Sequence, residues 1–209
     1  MGAMDASAHR ARTRPRTLVA RLVLALAIVP VAIAGCSSAG APAAATRTTA
    51  PAVSSAAAAA QRAQYAGSTP PEAAQMVCSD EIRGEVADAL GMAANPTPTS
   101  AWADHVYTCD YVLPMGRLVL AVSVSPSNSA ARDELGTLRR QAAADAQEAG
   151  LGQQAYSAPA GTVLAVKDNM VLRVDATGMP DDLGATHEHR LDLARVIAAG
   201  VFNCWTGNS

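Results

Sequence analysis

Past residue 71 the apolar positions recur with two different periods. The helical period comes first: Ile82, Val86, Ala89 and Leu90 form one stripe. Ser79 is placed to cap the first turn, Asp80 and Glu81 sit where the helix dipole favours acids, and Gly91 fits the C′ position. The period then drops to two. "HVYTCDYVL" and "RLVLAVSVS" read as strands joined through Pro114-Met115-Gly116. Leu118, Leu120, Val122 and Val124 share one face, and Arg117, Ser123 and Ser125 share the other.

A second helix is predicted over about residues 129–149, buried along Ala131, Leu135, Leu138, Ala142, Ala146 and Ala149. "GLGQQAYSAP" leads back into strands. "TVLAVKD" and "MVLRVDAT" then form a hairpin across Asp168-Asn169, with Met170, Leu172, Val174 and Ala176 facing in. A last helix over about residues 188–204 carries Leu191, Ala194, Ala198, Val201 and Trp205 on one stripe. The order αββαβββα has no regular βαβ crossovers. It predicts a single α+β domain over residues 72–209: a mainly antiparallel sheet of about five strands with about three helices packed on one face. That length is enough for one core.

The chain before residue 72 has another character. Arg10, Arg12, Arg14, Arg16 and Arg21 stand against one acid, Asp5, and then come 13 apolar residues, Leu22 to Ala34, "LVLALAIVPVAIA". A basic start, a short apolar run and a small-residue exit are the parts of a secretory signal peptide. Thirteen helical residues rise about 20 Å, short of a hydrocarbon core of about 30 Å, so the run does not read as a membrane span. The tetrad Ile33-Ala34-Gly35-Cys36 resembles the lipobox of bacterial lipoproteins. That resemblance implies a signal peptide over residues 1–35, a diacylglyceryl thioether on Cys36, cleavage before Cys36 and an amino group open to further acylation, such as palmitoylation. The chain is then a lipoprotein anchored on the outer side of the cell membrane.

Removing the leader leaves 11 basic against 17 acidic residues, a net charge of −6. Such a balance argues against nucleic acid as a partner and against electrostatic attachment to anionic lipid. Lys167 is the sole lysine beside abundant arginine and alanine, as in a GC-rich genome. Residues 36–71 are Ala, Ser, Thr, Pro and Gly with almost no large apolar side chain. They read as a disordered tether, with "SSAAAAAQRAQ" able to become transiently helical but lacking a face to pack.

A second resemblance covers about residues 72–203. "CSDEIRGEVADALG", "CDYV", "LVLAVSVS", "GLGQQAYS" and "VLAVKDNMVLRVDA" are similar to a family of actinobacterial secreted lipoprotein domains of unknown function. The general plan also resembles the extracellular sensor domains of some mycobacterial receptor kinases. The family has no established chemistry, so it implies no functional residues here, and Cys204 is a departure from its pattern.

Three cysteines remain besides Cys36. In an oxidising compartment we expect Cys78 to pair with Cys109, pinning the first helix to the first strand, with Cys204 left as a buried free thiol. The competing pair, Cys78 with Cys204, would staple the ends of the domain instead.

Catalytic motifs are absent from the sequence. There is no G-x-S-x-G, P-loop or G-x-G-x-x-G, and no Ser-x-x-Lys reaches Lys167. His187, Glu188 and His189, with Asp181 and Asp182 nearby, lack the spacing that converges imidazoles from one helix face, so no metal or other cofactor is expected. His105, beside Asp104, has no evident partner. We therefore expect a non-catalytic binding or accessory module, with Asp110, Lys167, Arg173 and Asp175 on a ligand-facing sheet surface and an unknown envelope protein or lipid as partner. The alternatives are a lipid or glycolipid carrier, which needs an apolar cavity between sheet and helices, and an enzyme. Sugar stacking is disfavoured because aromatic residues are only 3% of the chain.

Overall fold

The computed structural model describes residues 53–148, 150–183 and 189–207; Cys36 and the leader lie outside them. Five helices and seven strands are seen among these residues. Their order is α1 (Val53–Ala66), α2 (Glu72–Gln75), a 3₁₀ turn (Met76–Cys78), α3 (Asp80–Ala89), β1 (Thr99–Ala103), β2 (Val106–Leu113) and β3 (Gly116–Val124). There follow α4 (Asn128–Ala142), β4 (Ala146–Gln147), β5 (Gln154–Ala158), β6 (Thr162–Lys167), β7 (Met170–Gly178) and α5 (Arg190–Gly207). The strands form one antiparallel sheet in the order β1-β2-β3-β7-β6-β5-β4. The α+β class is as expected, with two strands more than anticipated: β1, made mostly of small residues, and the two-residue β4.

Alternation along the strands builds the inner face. Cys109, Tyr111, Leu118, Leu120, Val122, Val163, Ala165, Leu172 and Val174 are buried there against Ile82 and Val86 of α3 and Leu193, Ile197 and Val201 of α5. Cys78 and Cys109 are joined by a disulfide with Cα atoms 5.5 Å apart, so the 3₁₀ turn is stapled to β2. Two side chains reinforce the same corner. The Tyr111 hydroxyl donates to the Val77 carbonyl at 2.9 Å, and the Trp205 indole donates to the Ala73 carbonyl at 2.7 Å. Cys204 is free and buried.

Helices do not all lie on one face, as the sequence suggested. α4 packs on the opposite side, with Ala131 and Leu135 over Tyr156, Ala158, Leu164, Val166 and Val171. The reason is visible in the strands: β5 and β6 are apolar at successive positions, which gives two faces to cover rather than one. α4 also stops at Ala142, seven residues before the predicted end, because Ala143 turns left-handed (φ 49°). The N–H groups of Ala143 and Ala144 then close on the carbonyls of Arg140 and Arg139. Ala146 accordingly stands on β4 instead of the helix. α5 begins at Arg190, and residues 184–188 are outside the described set.

The expected tether contains α1. Its alanine run has the best intrinsic helix propensity of any residue type, and most of its side chains are exposed. Tyr65 near its end stacks on His105, with ring centroids 4.1 Å apart. At Gly152 (φ 61°) a Cβ would sit 2.4 Å from the Val166 carbonyl oxygen and 2.5 Å from the Phe202 ring. The Gly-Leu-Gly step thus lets α5 close onto β6.

Candidate functional site

The outer face of the sheet has two halves. α4 covers the β5–β6 half and reaches the Val171 end of β7, while the outward sides of β1, β2 and β3 carry no helix among the described residues. The register lays out the outer face in rows. Thr99, Asp110, Val119, Asp175 and Thr162 are cross-strand neighbours, and the next row is Ala101, Thr108, Ala121, Arg173 and Leu164. Val112, at the end of β2, is 78% exposed.

Charges on this half are paired in place. Arg117 donates to both Asp110 oxygens, at 2.7 and 2.6 Å, a forked contact that fixes the guanidinium plane. Those hydrogen bonds hold the Asp110 carboxyl below the usual carboxylate range. Arg173 pairs with Asp175, which also accepts from the Thr177 hydroxyl at 2.6 Å and the Thr177 N–H at 3.0 Å. Burial pushes the Asp175 carboxyl up, but the Thr177 and Arg173 contacts outweigh it and the net direction is down. The result is a patch of oriented ion pairs around Val119, beside a shelf of small residues.

Of the four residues expected on a common surface, Asp110, Arg173 and Asp175 are brought together. Lys167 is not among them. It ends β6 on the inner side, with Nζ 3.5 Å from the Trp205 carbonyl and 3.7 Å from Asp168. A one-residue offset in a strand moves a side chain to the other face, and Lys167 is at an odd position where Leu164 and Val166 are even. Arg117, which joins Asp110 to Asp175 electrostatically, was missing from the expected set. Its signal was its place at the start of β3 beyond a tight turn, where it lands opposite Val112 and beside Asp110.

Elsewhere, Lys167 and Asp168 stand between two open clefts. One, of about 700 Å³, lies between α1 and the body and is lined by Gln61, Gln64, Glu72, Met76, Met170 and Trp205 among others. The other, of about 360 Å³, is bounded by Gly150, Gly152, Phe202 and Thr206. At the far edge, Glu148 accepts from the Ser157 hydroxyl and from Arg195 Nε and Nη2 at 2.9 and 2.8 Å, while Arg195 Nη1 reaches Asp192 at 3.1 Å. This cluster ties the β4–β5 edge to α5.

Asp182 and His189 form a single antiparallel bridge, and His187 and Glu188 lie outside the described residues. Among the described residues no group of three or more His, Cys, Asp or Glu is arranged to hold a metal ion. Burial pushes the Cys204 thiol up to about 11, helped by a hydrogen bond to Glu81, so at neutral pH it is a protonated thiol rather than a nucleophilic thiolate. No helix among the described residues is long and apolar enough to cross a membrane. Comparison with protein-family models, curated proteins and solved structures found no match for this chain.

Proposed function

We propose that the chain is a lipoprotein of the outer side of the cell membrane, anchored through acylated Cys36 and working as a non-catalytic binding or accessory module. Its contact surface is the bare outer half formed by β1, β2, β3 and the Arg173–Asp175 end of β7, and its partner is an envelope protein or lipid. The observation that carries this reading is the combination on one face of an uncovered sheet, an exposed Val112 and the ordered Asp110–Arg117 and Arg173–Asp175 pairs. Pre-oriented charges beside small side chains can dock a complementary surface with little ordering cost. The Cys78–Cys109 disulfide supports an oxidising compartment, as export requires.

A lipid carrier would need an apolar chamber between sheet and helices. The side chains in that space, including Ile82, Leu120, Leu172, Ile197 and Val201, are fully buried and belong to one packed cluster, which supports the module instead.

Two measurements test the reading. Mass spectrometry of the mature N-terminus is expected to find an acylated Cys36, and an unmodified start elsewhere overturns the anchor. For the module, a photo-crosslinking residue at Val119 in the membrane-anchored protein is expected to capture a discrete envelope species. Val112→Asp should remove that capture without moving the thermal midpoint; Arg117→Glu should remove it too, with a lower midpoint because Asp110 then faces a like charge. Identical capture by all three proteins would exclude this face.

A further inference from the structure

Among the described residues β1 is an edge strand: it pairs with β2 alone, and Thr99, Ser100, Ala101 and Ala103 are exposed. Edges in native sheets are commonly blunted by charge, by proline or by a bulge. "TSAWA" has no charged residue, no proline, and a continuous register against β2. Pro98 precedes the strand directly and the turn follows it, so the free edge is five residues long.

The turn tells which backbone groups are free. Asp104 (φ 49°) and His105 (φ 61°) are both left-handed, which makes a two-residue hairpin loop of the I′ kind between Ala103 and Val106. In such a hairpin the flanking pair exchanges both its hydrogen bonds, and bonded pairs then recur at every second residue. Ala103, Ala101 and Thr99 therefore spend their N–H and C=O groups on β2. The N–H and C=O groups of Ser100 and Trp102 point away from the sheet.

We propose that this edge pairs with its own copy, forming a two-fold antiparallel seam centred on Ala101. That register is selected by the free groups themselves. It sets Ser100 of each chain opposite Trp102 of the other, so both free residues on each side find partners, and Ala101 faces Ala101 on the outer face with no steric conflict. Thr99 meets Ala103, and no charge opposes a like charge even though the chain without its leader is net acidic. The seam would join the bare outer halves of two copies into one continuous face. It is small beside a standard interface, so it suits copies concentrated by anchoring in one membrane.

Cysteine cross-linking tests it on the anchored full chain in membranes. Directly opposite residues of a non-bonded antiparallel pair have Cα atoms about 4.5 Å apart, within disulfide reach. Ala101→Cys is therefore expected to give a reducible dimer band. Ala103→Cys, whose copies would be separated by roughly 14 Å along the strand, gives none. Adding Ser100→Pro to Ala101→Cys should reduce the dimer at least tenfold; the Ser100 N–H takes no part in the β1–β2 ladder, so the thermal midpoint serves as the control that the domain still folds. Absence of the Ala101→Cys dimer, an equal dimer from Ala103→Cys, or cross-linking of Ala101→Cys to a different protein each overturns the proposal. None of these outcomes bears on capture through Val119, so the seam and the contact surface fail separately.

Discussion

Asn169 and Ser125, 44 residues apart, hold each other by two hydrogen bonds: the Ser125 N–H donates to the Asn169 carbonyl at 2.7 Å, and Asn169 Nδ2 donates to the Ser125 carbonyl at 2.8 Å. Both residues are buried, at the point where β3 gives way to α4 and β6 turns into β7. The pair closes the central β3–β7 ladder at one end. Replacing Asn169 with Ala leaves the Ser125 carbonyl buried without that donor, which costs about 1–3 kcal/mol. Urea unfolding is expected to show a lower midpoint with an unchanged slope; an unchanged midpoint would mean water replaces the amide at no cost.

Ala143 gives the opposite expectation. An L-residue with a side chain is disfavoured at φ 49°, and glycine is the usual occupant of a left-handed helix end. Ala143→Gly should raise stability by about 0.5–1 kcal/mol, the relief of backbone strain exceeding the extra entropy of the unfolded chain. A loss of stability would show that the extra entropy of the unfolded chain outweighs the relief of backbone strain.

Glu148 contributes to the acid limb, with Asp110 and Asp175 shifted in the same direction. Burial pushes its carboxyl up, but hydrogen bonds from Ser157 and Arg195 outweigh this and leave it below its ordinary value. A depressed folded-state value means that the unfolded chain binds the proton more readily. The stabilisation is therefore complete above the unfolded carboxylate value of about 4.3 and is lost as pH falls through the lower folded value. Glu148→Gln should flatten the decline of the thermal midpoint below about pH 4.5 and leave a shallower acid limb than wild type. An identical acid limb in both proteins would count against the cluster as a pH-sensitive clamp.

The disulfide and the free thiol make a joint prediction. Cys78 and Cys109 are separated by 31 positions, and releasing that loop should cost about 3–4 kcal/mol on the chain-entropy model. Non-reducing peptide mapping should recover the Cys78–Cys109 peptide pair. Cys204 should alkylate only after unfolding, since burial keeps its thiol protonated and covered. Fast native labelling of Cys204 would contradict the packing around α5.

What could be read without the fold was whatever depends on local period and composition. The β2–β3 and β6–β7 hairpins, the Ser79 cap and the inward stripes of α3 and α5 follow from spacing, because a side chain's face is set by its own strand or helix. The pairing of Cys78 with Cys109 was legible for the same reason, given one cysteine before a helix and one on the buried side of a strand. Strand β1, the early end of α4 and the placement of α4 on the second face were decided by tertiary contacts. A strand of small residues has weak pattern, an alanine turned left-handed leaves no mark in sequence, and the unbroken apolar run of β6 marks two faces to cover without saying which helix covers the second. The outer-face patch divides along the same line. Alternation placed Asp110, Arg173 and Asp175 outward, but only strand pairing could bring Arg117 onto Asp110, and only the packing of α4 and α5 on opposite faces of β6 decided that its odd positions, Lys167 included, face inward.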